Sequence, residues 1–159
     1  MMKVSDLLTE ARVQCGVEVT SKKRALEQLS ELLMADQQPT DETVRAVFEG
    51  LCVRERLGST GLGRGVALPH SRAADIEQPR AAVIRLSQAI DFDAPDRSPV
   101  DLLFGLLVPE HGNDEHLRIL SQLAEMFRDE ALCTRLRQCQ SDQELYATID
   151  DWQAKSEDG

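Results

Sequence analysis

Among the residues able to do covalent chemistry, His70 stands in the most telling position. It follows Pro69, whose ring forces Leu68 into an extended conformation, so the imidazole is expected at a strand end or loop where a reactant can reach it. A neutral imidazole nitrogen is abundant near pH 7 and attacks phosphorus directly, whereas a serine hydroxyl first needs a base. The phosphohistidine formed in this way is reactive enough to pass its group onward.

Phosphoryl transfer spreads charge over three equatorial oxygens, which a protein stabilises with backbone N–H groups, cations and helix N-termini. The neighbourhood of His70 supplies candidates of each kind. Gly58, Gly61, Gly63 and Gly65 predict a tightly folded loop with accessible N–H groups and positive φ at several positions. Arg54, just before that loop, offers a planar fork of donors suited to phosphate, and Ser59 and Thr60 offer hydroxyls. Arg64 adds either a phosphate-facing cation or a surface charge. His116 is expected in the first turn of a later helix, where the macrodipole favours an anion and a second imidazole can donate a hydrogen bond. Each also has a plainer reading: Arg54 as a solvated helix-end cation, His116 as a surface residue, Ser59 and Thr60 as turn formers.

Other chemistries fit poorly. Gly61-Leu62-Gly63-Arg64-Gly65-Val66 lacks the third glycine of a dinucleotide loop and follows a predicted helix rather than a strand. Gly58 to Gly63 matches half of a P-loop, but Arg64-Gly65 replace the Lys and Ser/Thr that reach phosphate and magnesium. His111 and His116 lack the spacing to share a helix face and no H-E-x-x-H occurs, so no metal is expected. Leu57 stands where a G-x-S-x-G elbow around Ser59 would need glycine, which argues against a hydrolase.

The elements that must position these residues are legible from periodicity. Ala25, Leu26, Leu29, Leu32 and Leu33 predict an amphipathic helix over about residues 21–37, stopped by Pro39. Val44, Val47, Phe48 and Leu51 predict a second, ended by Gly58. Val66-Ala67-Leu68 is a short apolar run closed by Pro69, and 81–86 and 100–108 read as strands. The last of these hardly alternates, which implies burial on both faces and a central place in a sheet. Three helical patterns follow: one with Leu117, Leu120, Leu123, Ala124 and Phe127, one over about 130–139, and one opened by a Ser141-Asp142-Gln143-Glu144 capping box, with Leu145, Ile149 and Trp152 on one face. The expected fold class is α/β, a single domain with a mixed β-sheet flanked by helices on both sides, spanning 1–153 with a loose tail over 154–159.

Composition narrows the partners. A chain of 159 residues with 42% hydrophobic content suits one core. Twenty-eight Asp and Glu against eighteen Lys and Arg give a net charge of -10, so no broad basic face exists for nucleic acid or an anionic membrane. The longest apolar run, 102–108, falls far short of the roughly 20 residues that span a bilayer, and 1–10 lacks a signal-peptide pattern, so a cytoplasmic protein without direct membrane insertion is expected. Cys15, Cys52, Cys133 and Cys139 form no C-x-x-C pair and are expected to be reduced, mostly buried thiols.

The stretch from Arg54 to His70, Arg-Glu-Arg-Leu-Gly-Ser-Thr-Gly-Leu-Gly-Arg-Gly-Val-Ala-Leu-Pro-His, resembles the active-site signature of the mannitol/fructose-class enzyme IIA domains of the bacterial phosphotransferase system. Pro99 to Phe104, Leu107-Val108-Pro109, His116-Leu117 with Leu120, and Ser141-Asp142 with Glu144-Leu145 resemble later blocks of the same family, so the likeness covers nearly the whole chain. Ser21 to Leu26 and Pro99 to Phe104 bring it nearest to the family's nitrogen-regulatory branch.

The resemblance implies a mixed sheet flanked by helices, His70 as phosphoacceptor, and Arg54 and His116 as phosphate-stabilising residues. It implies a phosphotransferase system component that needs no cofactor and takes its phosphoryl group from an HPr-like phosphocarrier protein, itself charged by an enzyme I from phosphoenolpyruvate. With no IIB domain fused to it, the chain is expected to be regulatory rather than metabolic, acting on targets such as potassium-transport regulators or sensor kinases according to its phosphorylation state. A sugar-transport enzyme IIA passing phosphate to a IIB domain, and an unphosphorylated interaction module, remain alternatives.

Overall fold

The computed structural model describes residues 4–74, 76–111 and 115–158. Strand β1 (Val13–Val17) leads to helices α1 (Lys22–Met34) and α2 (Asp41–Arg56). Strands β2 (Gly61–Gly63), β3 (Val66–Ala67), β4 (His70–Ala73), β5 (Arg80–Ile90) and β6 (Val100–Pro109) follow, then helices α3 (Glu115–Met126), α4 (Glu130–Gln138) and α5 (Asp142–Asp158).

The strands form one mixed sheet in the order β1-β5-β6-β3-β2, with β4 also against β6. The apolar run predicted to be central is β6: it pairs antiparallel with β5 and parallel with both β3 and β4. Its side chains alternate between two cores. Leu102, Phe104, Leu106 and Val108 pack with buried residues of α3, α4 and α5, while Val100, Leu103 and Leu107 pack with those of α1 and α2. Burial on both faces is why this strand shows no polar period.

Both N-terminal helices start where their caps dictate. Ser21 and Thr40 side chains accept from the amides three residues on. Helix α1 ends at Met34 and a 3-10 turn, Ala35–Gln37, completes the expected span. At α5 the capping box is modified: Ser141 Oγ accepts from the Glu144 amide, but Glu144 accepts from the Gln140 amide, one residue before the cap. The α5 backbone is helical to Asp158 and so includes most of the stretch expected as a tail; Lys155-Ser156-Glu157-Asp158 contains neither proline nor glycine to end it. Gly159 lies outside the described residues.

The glycine-rich segment folds tightly, as a small β-hairpin: β2 pairs antiparallel with β3, and Gly58, Gly63, Arg64 and Gly65 take positive φ. One expectation is corrected. The four cysteines are free, but only Cys133 and Cys139 are buried; Cys15 and Cys52 are half-buried.

The edge that will matter most is stepped. Strands β3 and β4 run in succession along β6, interrupted at Leu68-Pro69, and β2 covers only β3. His70, the first residue of β4, lies at the step.

Candidate functional site

Helix α2 lies close over β4 because Gly50 has no side chain: a Cβ there would stand 2.4 Å from Ser71 Oγ. Alternation along β4 turns Ser71 toward α2 and sends His70 and Arg72 to the other face, toward α3. One turn beyond Gly50, α2 delivers Arg54 to the step from above.

Arg54 is held at both ends of its guanidinium. Its Nη1 donates to the Gly58 carbonyl at 2.9 Å, and its Nε approaches His70 Nε2 at 3.3 Å. Gly58 has φ +146, a conformation open to glycine and strained for other residues. On the far side of the ring, His70 Nδ1 lies 2.9 Å from the Leu68 carbonyl. A carbonyl oxygen can only accept, so Nδ1 carries the proton, and in the neutral ring Nε2 keeps its lone pair.

Burial is the main force holding the imidazole below its ordinary pKa of 6.5. The Leu68 bond opposes that shift, Arg54 adds to it, Glu55 opposes it and His116 adds to it. The ring is therefore neutral near pH 7, the state in which Nε2 is a nucleophile.

The imidazole opens into a cleft of about 400 Å³ lined by Arg54, Thr60, Leu68, His70, Leu117 and Leu120 among others. Two large apolar side chains at this cleft, Leu62 and Leu117, are exposed. His116 is in the first turn of α3, where the sequence placed it, and it is the smallest of the named influences on the His70 pKa, lowering it. It lines a neighbouring cavity of about 660 Å³ together with His111. Among the described residues, no group of three or more His, Cys, Asp or Glu is placed to hold a metal ion.

The hairpin contributes less directly than its composition implies. Ser59 Oγ donates to the Phe92 carbonyl and accepts from the Gly61 amide; Thr60 Oγ1 donates to Glu55. The Gly58 and Thr60 amides are also bonded internally, to the Glu55 carbonyl and carboxylate. Arg64 pairs with Glu130 at 2.7 Å, and its carbonyl accepts from Arg137. Gly63, Arg64 and Gly65 therefore belong to the outer turn, braced against Asp96, Arg137 and Asp101, and do not line the cleft.

Sequence reasoning missed two residues. Arg72 Nη2 lies 3.4 Å from both ring nitrogens of His116 while its Nη1 donates to the Glu110 carbonyl at 3.2 Å; the two-residue period from His70 was the available signal. Glu55 continues the buried stripe of Val47 and Leu51 and is only 9% exposed, a position the helical period also marks.

The domain thus sets a histidine, met at Nε2 by an arginine, at the stepped edge of a mixed sheet. The chain belongs to the family described as phosphoenolpyruvate-dependent sugar phosphotransferase system, EIIA 2, which matches residues 6–152. The "Nitrogen regulatory protein" of Pseudomonas aeruginosa is 42% identical over 153 residues, covering 96% of this chain and 98% of the relative. The crystal structure of nitrogen regulatory protein IIA-Ntr from Neisseria meningitidis is 41% identical with a TM-score of 0.83, covering 92% of this chain and 98% of that one. IIA mannitol from Escherichia coli shares the fold at 22% identity and a TM-score of 0.73, covering 89% and 98%. No described helix is long and apolar enough to cross a membrane.

Proposed function

We propose that the protein is a phosphohistidine carrier of a nitrogen-regulatory phosphotransferase system, accepting its phosphoryl group on His70 Nε2 from an HPr-like protein. The observation that carries this reading is the pair of bonds on the ring: Leu68 fixes the proton on Nδ1, and Arg54 Nε meets the nucleophilic nitrogen from outside.

The step balances without a cofactor. The Nε2 lone pair attacks phosphorus on the donor's phosphohistidine, the donor's P–N bond breaks, and its electron pair returns to the donor imidazole. As phosphorus approaches, the Arg54 Nε–H moves from Nε2 to a phosphoryl oxygen, where a planar cation offsets the developing charge. The product ring keeps its Nδ1–H on the Leu68 carbonyl, and the positive charge it carries keeps the group transferable. Leu117 and Leu120 of α3 line the cleft into which His70 opens, and His116, in the first turn of that helix, adds a donor for the remaining oxygens.

Exposed Leu62 and Leu117 beside the cleft fit docking of a protein donor, since an apolar rim excludes water as the partner closes. The regulatory reading rests on relatives: those of Pseudomonas aeruginosa and Escherichia coli, 42% and 43% identical, carry the name nitrogen regulatory protein, while a fructose-specific EIIABC component of Bacillus subtilis is 28% identical. Output then follows from the dianion on His70, which alters how targets such as potassium-transport regulators or sensor kinases meet this surface.

Incubation with enzyme I, an HPr-like donor and phosphoenolpyruvate tests the carrier role by intact mass. One phosphoryl group is expected on the wild type and none on His70→Ala; a modified His70→Ala protein refutes the assignment. An interaction module would show no mass change and bind targets equally well as His70→Asp.

A further inference from the structure

Beneath the hairpin, the Glu55 carboxylate is buried beside the reaction centre, where a negative charge opposes the arrival of a phosphoryl dianion. Its surroundings explain why an acceptor-only group is there. The Thr60 amide reaches Oε2 at 3.2 Å, Thr60 Oγ1 donates to Oε1, and Lys22 Nζ lies 3.0 Å from Oε2. Three donors converge on two oxygens, and an amide in place of the carboxylate would turn an NH2 toward one of them. Lys22 is itself anchored, 4.6 Å above the Phe92 ring.

From Thr60 the connection continues to the histidine. The Thr60 carbonyl accepts from the Leu68 amide at 3.0 Å, and the carbonyl of that same Leu68 accepts from His70 Nδ1 at 2.9 Å. The chain Lys22, Glu55, Thr60, Leu68, His70 is unbroken, and it spans the Leu68-Pro69 interruption between the two pairings, where β6 reaches the Pro69 carbonyl through the Leu106 amide at 2.9 Å while the Leu68 amide is held by Thr60. The direction of the Leu68 carbonyl decides which ring nitrogen holds the proton.

We propose that Glu55 is a positioning residue for His70: braced by Lys22, it fastens Thr60 and thereby sets the Leu68 carbonyl that keeps the proton on Nδ1 and leaves Nε2 as the nucleophile. This rests on His70 being the phosphoacceptor. Glu55 acts through two intervening residues and touches neither the imidazole nor the group transferred, in contrast to Arg54.

The test uses the full chain, with Glu55→Gln, Thr60→Val and Thr60→Ser as variants. Nitrogen chemical shifts of the His70 ring report the tautomer, and phosphorylation is timed with phosphoramidate, a protein-free donor, beside the enzyme I and HPr-like system. The wild-type ring is expected as the Nδ1–H form. Glu55→Gln and Thr60→Val should populate the other tautomer and slow transfer from both donors by up to about 10²-fold, the cost of misplacing a reacting group; Thr60→Ser, which restores the hydroxyl, should recover both readouts. Folded Glu55→Gln and Thr60→Val proteins with the wild-type tautomer and rate overturn this inference and leave the carrier reading standing. A wild type that takes phosphate from neither donor overturns the carrier reading and this inference with it.

Discussion

Arg54 Nε stands 3.3 Å from His70 Nε2, on the one ring nitrogen that Leu68 leaves unprotonated. A guanidinium beside a free base is unfavourable for protonating that base and favourable for an anion built upon it. Arg54→Ala should therefore leave the fold intact and slow phosphoryl transfer on the order of 10²-fold, the usual effect of removing one transition-state donor. Arg54→Lys keeps the charge but loses the fork that joins Gly58 to His70, so it should recover only part of the rate. Stopped-time mass spectrometry with the enzyme I and HPr-like system measures both, and wild-type rates would remove Arg54 from the site.

The acid limb of transfer should report the same environment. Burial first, then Arg54 and His116, depress the His70 pKa below 6.5 against the opposing effects of Leu68 and Glu55. Transfer should fall as the pH drops through a midpoint that lies below 6.5. Because the unfolded chain binds this proton first, the fold also loses stability over that interval as pH falls from 6.5. Arg54→Ala removes a cation and some burial, so its His70 midpoint, followed by NMR, should rise toward 6.5. A midpoint above 6.5 in the wild type would contradict the environment described.

His116 and Arg72 should behave as a unit. With Arg72 Nη2 3.4 Å from both nitrogens of the His116 ring, removing the arginine disturbs the imidazole as well as the local charge. His116→Ala is expected to slow transfer on the order of 10²-fold and Arg72→Ala less. The double variant should be no slower than His116→Ala alone, a non-additivity typical of contacting residues. Fully additive losses would show that Arg72 acts on the phosphoryl group independently.

Much of this architecture was readable from the chain because its elements are held by burial. The stripes of α1 and α2 and the continuous run of β6 pack against two cores, and burial writes itself into periodicity. Strand β4 was not readable: His70-Ser71-Arg72-Ala73 has no strand propensity and exists because its backbone pairs with Leu106 to Pro109 of β6. Strand β1 left a weak signal, Val13, Cys15 and Val17 alternating with Gln14 and Gly16. His70, Arg54 and His116 could be named as candidates from their chemistry and from the resemblance of the 54–70 stretch, and the structure brings Arg54 to His70. The role of the hairpin could not, since composition shows which amides and hydroxyls exist but not that Phe92 and Glu55 engage them.

Far from chemistry that the sequence could flag, Asp36 joins two buried guanidiniums. It accepts from Arg12 Nη1 at 2.6 Å and from Arg80 Nη2, while Arg12 Nε bonds the Ala81 carbonyl and Arg80 Nε the Leu33 carbonyl. Burial, followed by the neighbouring Arg80, already pushes the Arg12 pKa down, and Asp36 is what counters it. Asp36→Ala leaves both cations without a counter-ion and should cost about 3 kcal/mol, seen as a Tm lower by about 6–12 °C. Phosphoryl transfer measured well below that Tm should be unchanged. A loss under about 0.5 kcal/mol would show that solvent at the partly exposed carboxylate screens the network.

Docking and chemistry can be separated at the rim of the cleft. Leu117 is 55% exposed yet lines the same cleft as His70, so an aspartate there places a charge on the surface that a protein donor must cover without altering the bonds to the ring. Leu117→Asp should raise the KM for the HPr-like donor roughly tenfold or more, the effect expected when a desolvated apolar contact becomes a buried unpaired charge. Phosphoramidate is too small to touch the rim, so its rate should change little beyond a modest electrostatic effect. Equal slowing with both donors would place the damage at His70 itself and remove Leu117 from the docking surface, whereas no change with either would show that the partner approaches from another side of the step between β3 and β4.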